Sequence, residues 1–473
     1  MKQFNNEQLK AIRHGDGPMM VLAGPGSGKT TVLVNRVLYL TGELKVPERE
    51  ILIITFTRAA AREMEERYLR EKAAAGRGRK SEACFGTFHS VFFSILKEHT
   101  GCRNEDVVTE RECTELMWSL LSGPELGCYR YTSDMASVIL SELGSRKNGV
   151  RHEGYPVPED IFGRIAEGYE AAMKRRGKLD FDDMLIRFLM LLKKDPKLLS
   201  ALRKRYRYIM VDEFQDINPV QYQIIRLLCE PLRNIFIVGD DDQSIYGFRG
   251  SRPEIMLGFP RDFPELGSVT LEVNYRSGSD IVEASLRLIR HNRMRYEKSL
   301  RACREHTGSG RGRIRERQAS DEKEEARLVA DDIERILGDP GDKTDMAVLY
   351  RVHRASLPLR AELKKRGIRE GKRLSLMTFH GAKGLEFDRV YIISANEGIT
   401  PWKLSKDSGE LEEERRMFYV AMTRARHELH IFNTKLLYSR TQNRTRYMDE
   451  LLPEGLFKTV LLLKRRLRGW LMD

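Results

Sequence analysis

The sequence predicts an α/β protein made of two successive series of parallel strands and flanking helices, with a helical insertion in the first. Three observations predict it. Apolar runs of strand length alternate with helical stretches up to about Ser90, and the pattern resumes at Tyr208. The first run, Met19-Met20-Val21-Leu22, opens through a glycine-rich turn into a stretch with helical apolar spacing, Thr31 to Leu38. The runs Tyr208-Ile209-Met210-Val211 and Asn234-Ile235-Phe236-Ile237-Val238 each deliver acidic residues at their C-terminal ends, where open α/β sheets hold ligands.

The turn is Ala23-Gly24-Pro25-Gly26-Ser27-Gly28-Lys29-Thr30. Gly24, Gly26 and Gly28 let the backbone point its amides inward at the positive end of a helix, which makes a cradle for a polyphosphate. Lys29 reaches the β- and γ-phosphates and Thr30 offers a hydroxyl to Mg²⁺, as the phosphate-loop pattern requires. A plain glycine-rich turn is the alternative, and the strand–loop–helix context argues against it. Thr31 and Arg36 are counted with Ala23–Thr30 as residues of the ATP site.

Along the chain, Ile51 to Thr55 reads as a buried strand and Arg58 to Glu71 as a helix rich in Ala, Glu and Met. Lys72 to Lys80 is a basic loop. Residues 100–178 lack apolar strand runs and read as a helical insertion, with helices over Asp134 to Leu143 and Glu159 to Arg175. The first α/β domain is therefore expected over 1–99 and 179–268, and the second over 269–473. Arg301 to Arg317, rich in Arg and Gly, reads as a solvated loop. The second series has strands at Met346 to Tyr350, Ser375 to Phe379, Val390 to Ser394 and Leu429 to Phe432. The tail from Leu456 to Leu471 has helical apolar spacing with a basic face, either a surface helix or a nucleic-acid contact.

Lys+Arg 82 against Asp+Glu 69 leaves a formal charge of +13, which suits a polyanionic partner without naming one. Cys84, Cys102, Cys113, Cys128, Cys229 and Cys303 are scattered with no CxxC pair, so they read as reduced thiols of a cytoplasmic protein. The polar N-terminus has no signal-like run and no stretch approaches the length of a membrane span, so no membrane partner is expected.

Val211-Asp212-Glu213-Phe214-Gln215-Asp216 follows a strand. Asp212 is placed to hold Mg²⁺ and Glu213 to polarise an attacking water. Alone, such acids could be a helix cap with its first-turn charge; the upstream phosphate loop favours the catalytic reading. In Gly239-Asp240-Asp241-Asp242-Gln243-Ser244-Ile245-Tyr246-Gly247-Phe248-Arg249, the Gln243 amide can bond both a γ-phosphate and a water. Tyr246 and Phe248 beside Arg249 can stack bases, or serve as core aromatics in a turn.

With these strings in order, the chain resembles the UvrD/Rep/PcrA-type superfamily 1A DNA helicases nearly end to end. Phe4-Asn5-Asn6-Glu7-Gln8 resembles the family's Q motif, which implies that Gln8 reads adenine. Ile54 to Met64 and Gly86 to Ser90 resemble motifs that line the single-strand track, implicating Phe56, Thr57 and His89. Leu179 to Leu185 is similar to a further family signature. Leu271 to Ser277 implies that Tyr275 stacks on adenine and Arg276 touches the γ-phosphate. Thr378 to Phe387 implies DNA contacts at Thr378 and His380 and a ribose contact at Glu386. Glu414 to Arg426 implies an arginine finger at Arg424. Read singly, Arg276 or Arg424 would be a surface ion pair of little consequence.

The resemblance implies two RecA-like domains, ATP and Mg²⁺ as cofactors, and 3′-to-5′ movement on single-stranded DNA or single-strand/duplex junctions in repair, replication or recombination. It departs from the family in three places. Thr31 replaces a common arginine, which leaves base stacking on that side unsupported. Phe248 stands where Trp is usual. The family's second inserted domain is missing, with only about five residues, Arg369 to Arg373, between its lead-in helix and the next motif. Two rival functions stay open: an ATP-switched nucleic-acid-binding protein, and the motor subunit of a larger repair nuclease complex with a partner that the sequence does not name.

Overall fold

The computed structural model describes residues 4–123, 135–152, 157–303, 313–402 and 408–452. The chain forms two compact units. The first comprises Met1–Leu22, Lys29–Gly239 and Tyr246–Thr270; the second comprises Leu271–Asp473 together with Ala23–Gly28 and Asp240–Ile245.

The first unit is built on β1 (Met19–Ala23), β2 (Ile51–Thr55), β3 (Cys84–Thr87), β4 (Tyr208–Val211), β5 (Ile235–Gly239) and β6 (Gly267–Leu271). Their order is β3-β2-β4-β5-β1-β6, and the first five run parallel. β1, β2, β4 and β5 are buried along their whole length, which is why they appear in the sequence as unbroken apolar runs. The helices around them are α1 (Asn6–Ile12), α2 (Lys29–Gly42), α3 (Arg58–Ala74), α4 (Phe88–Thr100), α8 (Phe181–Lys194), α9 (Pro196–Arg205), α10 (Pro219–Cys229) and α11 (Pro253–Asp262). Their starts are fixed locally: Thr57 and Thr87 cap α3 and α4, and Asn218 caps α10 just before Pro219.

The insertion contains α5 (Glu110–Leu121), α6 (Met135–Lys147) and α7 (Glu159–Arg175), packed on a core of their own that includes Met117, Ile139, Phe162 and Tyr169. Its two ends are hydrogen-bonded side by side: Val108 N donates to Leu179 O at 2.8 Å, and Leu179 N to Asp106 O at 2.8 Å. The signature beginning at Leu179 fastens it. Asp180 caps α8 in a reciprocal pair with Asp183, Lys147 Nζ bonds both carboxylates at 2.7 and 2.9 Å, and Asn148 Nδ2 donates to Asp182.

In the second unit, β7 (Val273–Asn274) pairs with β8 (Arg301–Ala302). The main sheet holds β9 (Arg313–Ala319), β10 (Met346–Tyr350), β11 (Leu374–Thr378), β12 (Phe387–Ile392) and β13 (Ala425–Thr434), all parallel in the order β11-β10-β12-β13-β9. One face packs Leu349, Ile392 and Ile431 against α12 (Ser279–Ile289) and α15 (Ser408–Met422). The other packs Val348, Tyr391 and Phe432 against α13 (Glu322–Gly338) and α14 (Leu357–Lys365). Alternate residues of each strand thus serve opposite helix layers. Both main sheets are built on parallel strands flanked by helices, the α/β class expected from the sequence.

The stretch read as a loop from Arg301 to Arg317 needs correction. Residues 301–302 and 313–317 are strand, and 304–312 lie outside the described residues. β9 is an edge strand, so most of its side chains face outward and its Arg and Glu content concealed it. Between α14 and β11, residues 366–373 close in a tight turn, with Gly371 N donating to Leu374 O at 2.9 Å. The tail from Leu456 to Leu471 lies outside the described residues. No described helix is long and apolar enough to cross a membrane, and the described cysteines form no disulfide.

Candidate active site

The glycine-rich turn leaves the C-terminal end of β1 and delivers Lys29 and Thr30 into the first turn of α2. Gly26 and Gly28 have φ of 67° and 90°, the left-handed region that glycine enters without strain. Ser27 folds back, its Oγ donating to Gly24 O at 2.7 Å. Within the second unit, Tyr275 N donates to Gly26 O at 2.9 Å. A Cβ at Gly26 would lie 2.5 Å from Arg276 Cβ and 3.2 Å from Arg276 N, so close approach requires that glycine, whereas one at Gly24 would meet the Leu300 side chain at 2.5 Å. Ala23, Pro25 and Gly28 complete the turn.

β4 ends at Val211 and places Asp212 and Glu213 immediately beyond it. Asp212 N donates to Ile54 O of β2 at 2.9 Å, which anchors the position. Its Oδ1 is buried with no hydrogen-bond partner in the protein. Burial, then the neighbouring Glu213 charge, pushes the Asp212 carboxyl up to about 7, with Lys29 opposing. An orphaned buried carboxylate oxygen that is hard to ionise unaided fits a hard divalent cation. Glu213 adopts φ 51° and ψ 43°, a left-handed conformation that costs a non-glycine residue energy. Its Oε1 lies 3.0 Å from Lys29 Nζ, and its Oε2 accepts from Gln215 Nε2 at 2.6 Å.

Gln8, on α1, is buried and shares a capping box with Asn5. Arg36 does not turn toward the loop. Its guanidinium donates to His14 O and Gly15 O and lies 4.4 Å from the centre of the Phe236 ring, so its role is to hold the chain before β1. Thr31 Oγ1 instead accepts from Arg67 Nη2 at 2.6 Å, so a guanidinium reaches the first turn of α2 from α3. Sequence reading missed Arg67 because it is one of several charged residues on an exposed helix.

The second unit gathers Gln243, Arg276, Glu386 and Arg424. Arg424 is 1% exposed. Its guanidinium donates to Val420 O, Leu385 O and Thr423 Oγ1, and its Nη2 to Gln243 Oε1 at 3.1 Å. Arg276 Nε donates to Glu386 Oε2 at 2.6 Å, and Arg426 Nη2 to Glu386 Oε1 at 2.7 Å. Glu386 is thus held between two guanidiniums, and its carboxyl lies below the usual range although burial opposes this. Thr378 ends β11 and accepts from Gly381 N; His380 stands in the turn that follows.

The aromatic residues of the first unit form a strip. Phe56 and Tyr246 stack at 4.8 Å with planes 14° apart, and Phe248 lies 6.0 Å from Tyr246. The Arg249 guanidinium is 5.5 Å from both the Tyr246 and Phe248 rings. Phe248 is 42% exposed, presenting an open face. Its carbonyl accepts from Ser141 Oγ of α6 at 2.6 Å, so the insertion clamps the loop that carries it. Thr57 caps α3. His89 packs edge-on to Phe181, which is half exposed, and burial holds the His89 imidazole down near 4, neutral under ordinary conditions. Phe181 is a further exposed ring that the sequence pattern did not single out.

Two family models match the chain. That of the UvrD/REP helicase N-terminal domain covers residues 4–264, and that of the UvrD-like helicase C-terminal domain covers 269–372 and 365–435. The putative ATP-dependent DNA helicase YjcD of Bacillus subtilis is 35% identical over 382 residues, 76% of this chain and 49% of that protein. The ATP-dependent DNA helicase PcrA of Staphylococcus epidermidis is 32% identical over 376 residues, 78% of this chain and 50% of that protein. PcrA of Staphylococcus aureus is 32% identical over 374 residues, with 77% and 50% covered. The chain spans about half the length of the curated relatives it matches.

Proposed function

Because this chain belongs to the UvrD/REP helicase family, we propose that it hydrolyses ATP to move along single-stranded DNA, acting as a DNA helicase or translocase. The observation that carries this reading is the group at the end of β4: Glu213 in a strained conformation, 3.0 Å from the phosphate-loop Lys29, beside the orphaned oxygen of Asp212.

In this reading Ala23–Thr31 cradle the triphosphate, with Gln8 and Tyr275 at the base and Glu386 at the ribose. Lys29 neutralises phosphate charge, and Glu213 accepts the proton of the attacking water. Thr30 and Asp212 would hold Mg²⁺, which supplies charge neutralisation on the phosphate oxygens when bound. Gln243 positions the water, and Arg276 and Arg424 stabilise charge on the transferring group. Thr57, Thr378 and His380 follow the strand, and Phe56, His89, Tyr246, Phe248 and Arg249 form its stacking surface.

The family resemblance supports 3′-to-5′ polarity and single-strand/duplex junctions as DNA partners, and the scattered cysteines support a cytoplasmic setting. The domain division proposed is 1–99 with 179–268, the insertion at 100–178, and 269–473. The test is steady-state phosphate release with and without single-stranded DNA, followed by strand displacement on duplexes carrying either tail. Release that does not respond to DNA would overturn the motor reading.

A further inference from the structure

Lys298 lies in the segment between α12 and β8, within the second unit, and its side chain is fully buried. Its Nζ is 2.6 Å from Asp240 Oδ1, 2.5 Å from Asp241 Oδ1 and 2.8 Å from Asp242 Oδ2. Each carboxylate also serves another partner. Asp242 takes both arms of Arg295 at 2.8 Å, and Asp241 Oδ2 accepts from Tyr296 N at 2.7 Å. Asp240 Oδ2 accepts from Gln243 Nε2 at 2.7 Å.

That last bond decides which way the Gln243 amide faces. The two ends of an amide have nearly the same shape and differ only in donating or accepting. Asp240, as a carboxylate, accepts on both oxygens, so Gln243 must turn its NH₂ toward it. Oε1 then faces Arg424, which has only donors to offer and meets it at 3.1 Å. Lys383 Nζ fixes the same residue from its backbone, donating to Gln243 O at 2.6 Å.

We propose that Lys298, acting through Asp240, is a positioning residue for ATP hydrolysis: it locks the Gln243 amide with its oxygen toward Arg424. The inference rests on the functional reading above, in which Gln243 positions the attacking water and Arg424 stabilises charge on the transferring group. A buried ion cluster that only stabilised the fold would not control amide orientation.

The substitution Asp240→Asn separates the two roles. The introduced amide has one accepting oxygen, and the Lys298 ammonium requires it. The NH₂ of that amide then falls against the Gln243 NH₂, which turns Gln243 over and sets its NH₂ against Arg424. Adding Lys298→Met frees the amide at position 240 to give its oxygen back to Gln243, giving up only the long 3.3 Å bond from Asp242 N, and the local formal charge equals that of the parent. The parent, D240N and D240N/K298M chains are compared by thermal melting, by affinity for a fluorescent non-hydrolysable ATP analogue, and by DNA-stimulated phosphate release.

The expected result for D240N is a kcat lower by about tenfold or more with KM for ATP changed by less than about threefold, the signature of a lost transition-state arrangement. D240N/K298M is expected to recover most of that kcat. D240N turning over at the parental rate, or a folded double variant as slow as D240N, overturns the inference alone. A parent chain that releases no phosphate with single-stranded DNA overturns the functional reading, and this inference with it.

Discussion

Glu213→Gln is the sharpest test of the chemistry, because the structure shows what the substitution keeps. The glutamine has nearly the same volume and retains an oxygen for Lys29, which in the parent sits 3.0 Å from Oε1. Its NH₂ replaces Oε2, the acceptor for Gln215 Nε2, and the Gln215 amide must turn to match. Neither change empties space; the turned Gln215 amide gives up its 3.2 Å bond to Asp216 Oδ2, a local cost that leaves the sheet and the phosphate loop in place. The negative charge beside Asp212 disappears, and that charge is the second largest cause raising the Asp212 carboxyl. ATP binding should therefore hold or tighten. Turnover should fall by about 10²–10⁴-fold, the usual contribution of a positioned general base, or about 3–5 kcal/mol in activation free energy. The assay pairs fluorescent-nucleotide affinity with DNA-stimulated phosphate release. Lys29→Ala provides the contrast, since it should weaken both binding and turnover. Parental turnover in Glu213→Gln would refute the assignment of the base.

Three further expectations follow from other parts of the structure. Phe248→Ala removes an exposed ring worth roughly 1–3 kcal/mol per stacked base, so single-strand affinity should fall with melting temperature and DNA-independent ATPase little changed; unchanged affinity with a collapsed melting temperature would make Phe248 a core residue. Glu325 is fully buried, accepts from Ser394 N and Oγ, and is pushed up to about 7 by burial, so its contribution is harmless below the unfolded value and costs stability as pH rises through 4.5 to 7. Glu325→Gln should stabilise the chain by about 3 kcal/mol above pH 8 and not at pH 4, and melting curves that stay parallel to the parent's across that range would count against it. Because residues 366–373 form only a turn, translocation on single strands should be robust while monomers unwind long tailed duplexes weakly; fast processive unwinding in single-turnover assays at the same salt concentration would refute this.

The strands buried on both faces were legible because nothing but apolar side chains fits there, as Ile51 to Ile54 and Ile235 to Val238 illustrate. The placement of Lys29, Thr30, Asp212 and Glu213 just beyond strand ends was legible because an apolar run precedes each group. β9 was not, since an edge strand with Arg313, Arg315 and Arg317 has the composition of a solvated loop. Lys298 was invisible for a different reason: its three carboxylate partners are remote in sequence, and a lone lysine carries no local pattern. Arg36 shows how a side chain's partners escape the sequence. It was counted with the residues of the ATP site, whereas the carbonyls of His14 and Gly15 and the Phe236 ring claim its guanidinium. The signature at Asp180 to Asp183 was seen as a string, but its work, capping α8 and gripping Lys147, depends on a helix far upstream.

The paired ends of the helical insertion make it a module that can be exchanged without rethreading the sheet. Asp106, Val108 and Leu179 already meet through two backbone hydrogen bonds, so the distance to be spanned is that of a hairpin whatever lies beyond it. The entropy of closing such a loop grows only slowly with its length, by about 0.6 kcal/mol per doubling. A short turn or a much larger domain could thus be grafted at the same two residues with little effect on how the strands assemble. The turn at residues 366–373 is the other limit of that tolerance: a junction on a parallel sheet closed by its minimum of chain, and a natural place at which to insert a domain by design.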